Sequence, residues 1–287
     1  MFKGSFVALV TPFRDGQVDL ERLEELVEFH VQSGTSGLVP CGTTGESATL
    51  SHDEHRVVIN AVVRKADGRI PVLAGTGSNS TDEAIELTRF AQETGADGAL
   101  LITPYYNRPT QRGLVQHFLA IAEATDIPLI LYNVPSRTGV NMLPPAVIEV
   151  AKHPNVVAIK EASGNIQQTV SILRSSDITV LSGDDALTLP LISVGARGVI
   201  SVAANVVPSQ MVDLVDLALE GNFAAARELH FRLDPLFEAL FVETNPIPVK
   251  AALALRGRIG PEIRLPLTEA TEETRRTLER VLDEVGA

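Results

Sequence analysis

One lysine of this chain stands where it could act as a nucleophile. Lys160 ends the apolar run at residues 156–159. A solvated lysine is almost wholly protonated at pH 7, since its ordinary pKa is near 10.4, and desolvation or a nearby cation must lower that pKa before the amine attacks a carbonyl. Two alternatives stay open. Lys160 could instead pair with Asp184 or Asp185, and Lys250 is a rival nucleophile.

Hydroxyl groups collect after other apolar runs. All three tyrosines of the chain, Tyr105, Tyr106 and Tyr132, follow such runs, and Thr43 and Thr44 occupy a loop between glycines. Hydroxyls can give and take protons without a permanent charge, which suits the formation of an imine. The loop amides could also form a concave anion site, although a plain tight turn would explain the same residues.

Arg137 follows Pro135 and offers a planar guanidinium that suits a carboxylate, although a surface ion pair is the alternative. Competing motifs are weak. The segment at residues 75–80 lacks the third glycine of a dinucleotide loop, and no phosphate-binding Gly-x-x-x-x-Gly-Lys pattern occurs. His52 and His55 share a helix face, but the His-Glu-x-x-His pattern of zinc sites is absent. Neither a nucleotide nor a metal is predicted.

Eight short apolar runs precede these polar groups and would position them. They lie at residues 6–10, 37–40, 71–74, 99–102, 128–132, 156–160, 179–182 and 198–202. Their nearly continuous apolar character is typical of parallel strands buried on both faces. The intervals carry helical patterns, and Ser51–Glu54 and Ser80–Glu83 both fit capping boxes. The sequence predicts an α/β fold, the (β/α)₈ TIM barrel, with a doubly wound sheet as the alternative.

The alternation ends near residue 222, and helical patterns follow at 222–242, 247–257 and 270–285. We therefore predict a catalytic barrel over residues 1–222 and a C-terminal helical domain over residues 223–287. A segment this short is too small for an independent core, so we expect it to pack on the barrel or on a neighbouring subunit.

Composition excludes several classes of protein. Hydrophobic residues make up 45% of the 287 residues and charged residues 21%, which is a globular balance. The 36 acidic against 24 basic residues give a net charge of -12, which would repel nucleic acid and anionic membranes. Cys41 is the only cysteine, so no internal disulfide can form. Without a long apolar stretch or a signal-peptide pattern, a cytoplasmic protein is expected.

Six segments together carry a family resemblance. Residues 42–50, 103–109, 131–139, 159–164, 181–185 and 245–250 closely resemble the dihydrodipicolinate synthase family of class I pyruvate-dependent aldolases. The resemblance extends over essentially the whole chain. It implies a Schiff-base condensation of pyruvate with L-aspartate 4-semialdehyde, in the diaminopimelate route to lysine, that needs no metal or organic cofactor.

The resemblance also implies roles for single residues. Lys160 would carry the Schiff base, and Thr43, Tyr132 and Tyr106 would relay protons, with Tyr106 reaching into the site of an adjacent subunit. Thr44 would contact the pyruvate carboxylate and Arg137 the semialdehyde carboxylate, while Gly183 and Ile200 would line the pocket. The family's usual homotetramer, a dimer of tight dimers, is expected.

A further implication is inhibition by L-lysine at a second site between subunits. The positions that match this site are Ser47, Ala48, Leu50, His52, His55, Asn79, Glu83 and Tyr105. The competing explanation is local, since Glu83 fits a capping box and the two histidines could simply cover a helix face.

Two other functions remain as alternatives. A related aldolase, such as N-acetylneuraminate lyase or a keto-deoxy-sugar aldolase, would share the barrel, the lysine and the tyrosine but accept a polyhydroxylated aldehyde. The pair Thr43 and Thr44 and the segment at residues 132–139 favour the synthase. A non-catalytic barrel that senses a small molecule would keep the pocket without turnover.

Overall fold

The computed structural model describes residues 2–287 and shows eight parallel strands. They are β1 (Gly4–Ala8), β2 (Gly37–Val39), β3 (Leu73–Gly75), β4 (Gly98–Ile102), β5 (Leu129–Asn133), β6 (Val156–Glu161), β7 (Thr179–Ser182) and β8 (Gly198–Ser201). The order in the sheet is β2-β1-β8-β7-β6-β5-β4-β3. A bridge between Leu38 and Val72 brings the two end strands together. The predicted (β/α)₈ barrel is confirmed, and the doubly wound sheet is wrong.

The strands alternate between two apolar environments, as residues of a barrel strand must. Along β5, Ile130 and Tyr132 belong to the cluster that fills the barrel interior. Leu129 and Leu131 belong to the larger cluster between the strands and the helices. Both faces of the strand are therefore buried, which explains the continuous apolar runs in the sequence.

Twelve α-helices are present in residues 2–287. They are α1 (Leu20–Gln32), α2 (His52–Ala66), α3 (Thr81–Thr94), α4 (Gln111–Ala124), α5 (Pro135–Thr138), α6 (Pro144–Val150), α7 (Ile166–Ser175), α8 (Thr188–Ser193), α9 (Pro208–Leu219), α10 (Phe223–Ala239), α11 (Ile247–Leu255) and α12 (Glu272–Val285).

One predicted capping box is confirmed and the other is wrong. At the start of α2, the Ser51 hydroxyl accepts from the Glu54 amide and the Glu54 carboxylate accepts from the Ser51 amide. Ser80 makes no side-chain cap at the start of α3. Glu83 instead accepts a hydrogen bond from the Ser78 hydroxyl, so this carboxylate does not cap the start of α3.

The C-terminal helices share a hydrophobic core with the barrel. Leu233 of α10 and Leu282 of α12 lie in the same apolar cluster as Val7 of β1 and Leu214 of α9. The division of the chain after residue 222 stays a prediction. In the part of the chain from residue 2 onward, no helix is long and apolar enough to cross a membrane.

A short hairpin that the sequence reading missed follows β1. Phe13–Arg14 pairs antiparallel with Gln17–Val18. The two turn residues, Asp15 and Gly16, have φ values of 53° and 77°. An Asp-Gly pair is the usual signal for such a turn, so the sequence did carry the information.

Candidate active site

A cavity of about 840 Å³ opens at the C-terminal ends of the strands. Its lining residues are Thr43, Thr44, Tyr132, Val134, Ser136, Arg137, Lys160, Ala162, Gly183, Asp184, Val202 and residues 241–245. The barrel therefore brings together the lysine, the threonine pair, one tyrosine and the arginine, which are far apart in sequence. Reactive groups of such barrels lie at this end of the strands.

Lys160 and Tyr132 face each other from neighbouring strands. They are register partners in β5 and β6, and only 5% of Lys160 is exposed. The Lys160 Nζ lies 4.3 Å from the centroid of the Tyr132 ring. A Cβ atom at position 183 would stand 3.1 Å from Lys160 Cε and 2.6 Å from Ala162 Cβ. Gly183 therefore leaves the room that the lysine side chain occupies.

The alternative in which Lys160 pairs with an aspartate is wrong. Within residues 2–287, no carboxylate oxygen lies within ion-pair distance of its Nζ. Asp184 accepts from the Leu187 amide at 3.3 Å, and Asp185 accepts from the Ala203 amide at 2.9 Å. Both carboxylates thus have other partners, and the lysine amine stays available in the cavity.

The titration of the buried Asp185 carboxyl can be tested by substitution. Burial raises the pKa of this carboxyl to about 6 from an ordinary value of 3.8. Because the folded-state pKa is the higher one, the proton stabilises the fold at low pH, and that contribution is lost as the pH rises through about 6. Asp185→Asn removes this titration. Between pH 4.5 and pH 7, we expect the free energy of unfolding of the variant to rise by about 2 kcal/mol relative to that of the wild type. Urea unfolding of the variant and the wild type at both pH values measures this change. The same stability difference between the two proteins at both pH values would contradict the prediction.

The rival lysine does not reach the cavity. Lys250 is buried, and its Nζ donates to the Thr11 carbonyl at 3.0 Å and to Glu46 Oε1 at 2.5 Å. Burial lowers the pKa of Lys250, and the carboxylate of Glu46 opposes that effect. Glu46 lies at the end of the loop that carries Thr43 and Thr44. Its ion pair with Lys250 therefore anchors this loop to α11.

Asn245 links two of the predicted binding residues. Its side-chain Nδ2 donates to the Thr44 hydroxyl at 3.1 Å, and its main-chain carbonyl accepts from Arg137 Nη2 at 3.1 Å. Among the residues described, this is the one hydrogen bond of the Arg137 guanidinium, so its other N–H groups can bind a carboxylate in the cavity. Asn245 begins one of the segments that resemble the family, but no role was predicted for this residue.

Two predicted site residues lie away from the cavity wall. Tyr106 is 93% exposed, with a left-handed φ of 68°, and does not line the cavity. Ile200 is fully buried in the barrel interior and does not line it either. A single chain thus brings together six of the eight predicted catalytic and substrate-binding residues.

A second cavity, of about 470 Å³, adjoins the first. Seven of the eight positions predicted to bind lysine line it: Ser47, Ala48, Leu50, His52, His55, Glu83 and Tyr105. The eighth, Asn79, lies beside it and donates from Nδ2 to the Tyr105 carbonyl at 3.2 Å. Thr43 and Arg137 line both cavities. The two cavities are therefore in direct contact through residues of the candidate active site.

The polar groups of the second cavity have defined partners. His52 Nε2 lies 2.7 Å from Glu83 Oε1. His55 Nε2 lies 2.7 Å from the Gly75 carbonyl, so it must carry the proton of that hydrogen bond. Burial lowers the pKa of His55, which keeps the ring neutral. Across residues 2–287, no cluster of three or more His, Cys, Asp or Glu side chains could hold a metal ion.

A parallel barrel that buries a lysine at the end of its sixth strand, among hydroxyls and an arginine, has the layout of a class I aldolase, an enzyme that forms a Schiff base with its substrate. Residues 1–285 match the family model described as the Dihydrodipicolinate synthetase family. The chain belongs to this family, and it is an enzyme of the lyase class.

Individual relatives agree with this assignment. The 4-hydroxy-tetrahydrodipicolinate synthase of Syntrophus aciditrophicus is 56% identical over 288 residues, which cover 100% of this chain and 99% of the relative. The crystal structure of dihydrodipicolinate synthase from Aquifex aeolicus is 51% identical, with a TM-score of 0.98 over 99% of this chain and 98% of that one.

Two solved relatives contain small molecules. The dihydrodipicolinate synthase of Acinetobacter baumannii, described as chloride inhibited and complexed with pyruvate, is 48% identical with a TM-score of 0.98 over 100% of this chain and 99% of that one. The enzyme of Cyanidioschyzon merolae with lysine bound is 44% identical, with a TM-score of 0.97 over 99% of this chain and 98% of that one.

Proposed function

We propose that this enzyme condenses pyruvate with L-aspartate 4-semialdehyde to form 4-hydroxy-tetrahydrodipicolinate, in the pathway that makes lysine. One observation carries the proposal. Lys160 is buried, has no carboxylate partner within residues 2–287, and shares a cavity with Thr43, Thr44, Tyr132 and Arg137. Full-length relatives that bear the name of this synthase, and a related structure with pyruvate, support the same reaction.

The first step attaches pyruvate to the enzyme. The neutral amine of Lys160 attacks the keto carbon, and the resulting carbinolamine loses water to give an iminium. Each proton transfer needs a group that both gives and takes a proton, and the hydroxyls of Tyr132 and Thr43 can do so. Thr44 would contact the pyruvate carboxylate. The family chemistry uses this covalent Schiff base and no separate cofactor.

The second step joins the two substrates. The iminium acts as an electron sink, so the methyl group of pyruvate loses a proton and the enamine adds to the aldehyde carbon. The amine of the semialdehyde then attacks the iminium carbon, which closes the ring and frees Lys160. Arg137 would hold the carboxylate of the semialdehyde through a forked pair of N–H groups. One water is released for each ring formed.

A comparison of aldehydes separates this function from its alternatives. Purified enzyme with pyruvate is expected to consume L-aspartate 4-semialdehyde far faster than N-acetylmannosamine or simple sugar aldehydes. The reverse preference would favour a sugar aldolase. Binding of pyruvate without turnover of any aldehyde would favour a sensor.

We propose that the complete active site needs two subunits. Tyr106 projects from the surface in a left-handed conformation, which a non-glycine residue holds at some energetic cost. An exposed tyrosine in that position is suited to enter the cavity of a second copy. The proposed assembly is a homotetramer built from two tight dimers.

We propose further that L-lysine inhibits the enzyme by binding in the second cavity. The cavity holds a carboxylate, Glu83, that can oppose an ammonium group, together with His52 and the aromatic Tyr105. It also shares Thr43 and Arg137 with the candidate active site, so a ligand there could change the binding or turnover of pyruvate. The related structure with lysine bound supports this assignment.

Glu83→Ala tests the lysine site. We expect the lysine concentration for half-inhibition to rise at least about tenfold, because the variant loses a charge-assisted bond of about 1.5 kcal/mol or more to the ammonium group. Turnover without lysine should fall much less. The matched control is Glu86→Ala on the same helix, whose carboxylate pairs with Arg56 outside this cavity. If millimolar lysine leaves wild-type activity unchanged and produces no heat of binding, the site does not exist.

A further inference from the structure

A buried polar network lies directly behind Lys160 and Tyr132. Asn133 and Glu161 are the next residues along β5 and β6, and they too are register partners. Because successive side chains of a strand point to opposite faces, these two lie outside the barrel when Lys160 and Tyr132 lie inside. Asn133 has no exposed surface and Glu161 only 2%. The proposed reaction uses neither of them.

The Glu161 carboxylate is held entirely by neutral donors. It accepts from Asn133 Nδ2 at 3.1 and 3.3 Å, from Gln168 Nε2 at 3.2 Å and from the Ser163 amide at 2.7 Å. In the described chain, residues 2–287, no lysine, arginine or histidine forms an ion pair with it. A buried charge is costly without such a pair, so each of these hydrogen bonds matters to the fold.

Asn141 closes the network into a ring of four side chains. Its Oδ1 accepts from Asn133 Nδ2 at 2.8 Å and from Gln168 Nε2 at 3.1 Å, while its Nδ2 donates to Gln168 Oε1 at 2.9 Å. Asn133 Oδ1 also accepts from the Met142 amide at 2.9 Å. The ring therefore ties β5, β6 and α7 to the end of the segment at residues 134–142.

The segment at residues 134–142 carries Arg137. The network therefore contacts the backbone near three proposed functional residues, Lys160, Tyr132 and Arg137. Glu161 follows Lys160 directly, Asn133 follows Tyr132 directly, and residues 141 and 142 close the loop that holds Arg137. We propose that Glu161 is a positioning residue of the active site: through Asn133, Asn141 and Gln168 it fixes the lysine, the tyrosine and the arginine loop relative to one another. The inference rests on the proposed function of those three residues.

Glu161→Gln is the most direct test. The variant keeps the size of the side chain but places an NH₂ group where Asn133 and Gln168 both donate, so two donors face each other. A misplacement of about 1 Å at a reacting group can cost about 100-fold in rate. We expect kcat to fall by about 10- to 100-fold per active site, where active sites are counted by borohydride trapping of pyruvate on the folded enzyme.

Counting trapped sites separates positioning from a loss of folded protein. A purely structural role would lower the number of sites that trap pyruvate and leave kcat per site unchanged, and this result would overturn the proposal.

A pair of neighbouring glutamines provides a milder comparison if Glu161→Gln does not fold. Gln168→Met removes the Nε2 donor and the Oε1 acceptor of one ring member, whereas Gln167→Met changes an exposed side chain of the same helix. We expect a several-fold lower kcat per site for Gln168→Met and an unchanged value for Gln167→Met. Equal values would overturn the proposal. Failure of the wild type to trap pyruvate would instead refute the proposed function.

Discussion

Lys160→Ala is expected to lower kcat/KM for the condensation by at least about 10⁴-fold, because removal of a covalent nucleophile commonly costs that much or more. Within residues 2–287, no other lysine lines this cavity. Lys250 is held between Glu46 and the Thr11 carbonyl, and no atom of it lines the cavity. The measurement is steady-state kinetics with pyruvate and L-aspartate 4-semialdehyde, with circular dichroism to confirm the fold.

Lys152→Ala is the matched control for this substitution. Lys152 lies on the surface, where it pairs with Glu149, and its loss should change kcat/KM less than about twofold. If a folded Lys160→Ala enzyme keeps more than a few per cent of the activity, Lys160 does not carry the intermediate.

Tyr106→Phe is expected to lower kcat by about 100-fold or more, since a positioned acid–base group contributes about that much. Its most informative property appears in a mixture with Lys160→Ala. If Tyr106 serves the neighbouring site, a mixed dimer contains one site with both native residues. Random exchange of equal amounts should then restore up to about a quarter of the wild-type activity, since half of the dimers are mixed and one of their two sites is intact.

Two observations would contradict a shared site. The first is full activity in a preparation that analytical ultracentrifugation shows to be monomeric. The second is the absence of any recovery after native mass spectrometry has confirmed that the two variants exchange subunits. As a control, each inactive variant is incubated alone under the same conditions and should stay inactive.

Much of the fold could be predicted because local sequence determined it. Strands buried on both faces are nearly continuous in apolar residues, so the eight strands could be recognised in the sequence as short apolar runs. Ser51 and Glu54 are three residues apart and cap one helix through neighbouring atoms, which is a purely local arrangement. Lys160 could be predicted as a candidate because barrels place reactive groups at the C-terminal ends of the strands, whereas the role of Gly183 was implied only by the family resemblance.

The features that escaped prediction depend on contacts between distant parts of the chain. Ser80 and Glu83 have the spacing of a capping box, yet Glu83 contacts His52 and Ser78, which no local pattern shows. Asn245 bonds to Thr44 across about 200 positions of sequence. The ring around Glu161 joins residues from three elements, so it exists only once the barrel has formed.

The central claim is that pyruvate forms a Schiff base with Lys160, and borohydride reduction tests it most directly. Enzyme incubated with pyruvate and sodium borohydride is digested, and the peptides are sequenced by mass spectrometry. We expect one reduced pyruvyl group per chain, on the peptide that contains Lys160, with parallel loss of activity and no label without pyruvate. A label on Lys250, or no label on an otherwise active enzyme, would contradict the account.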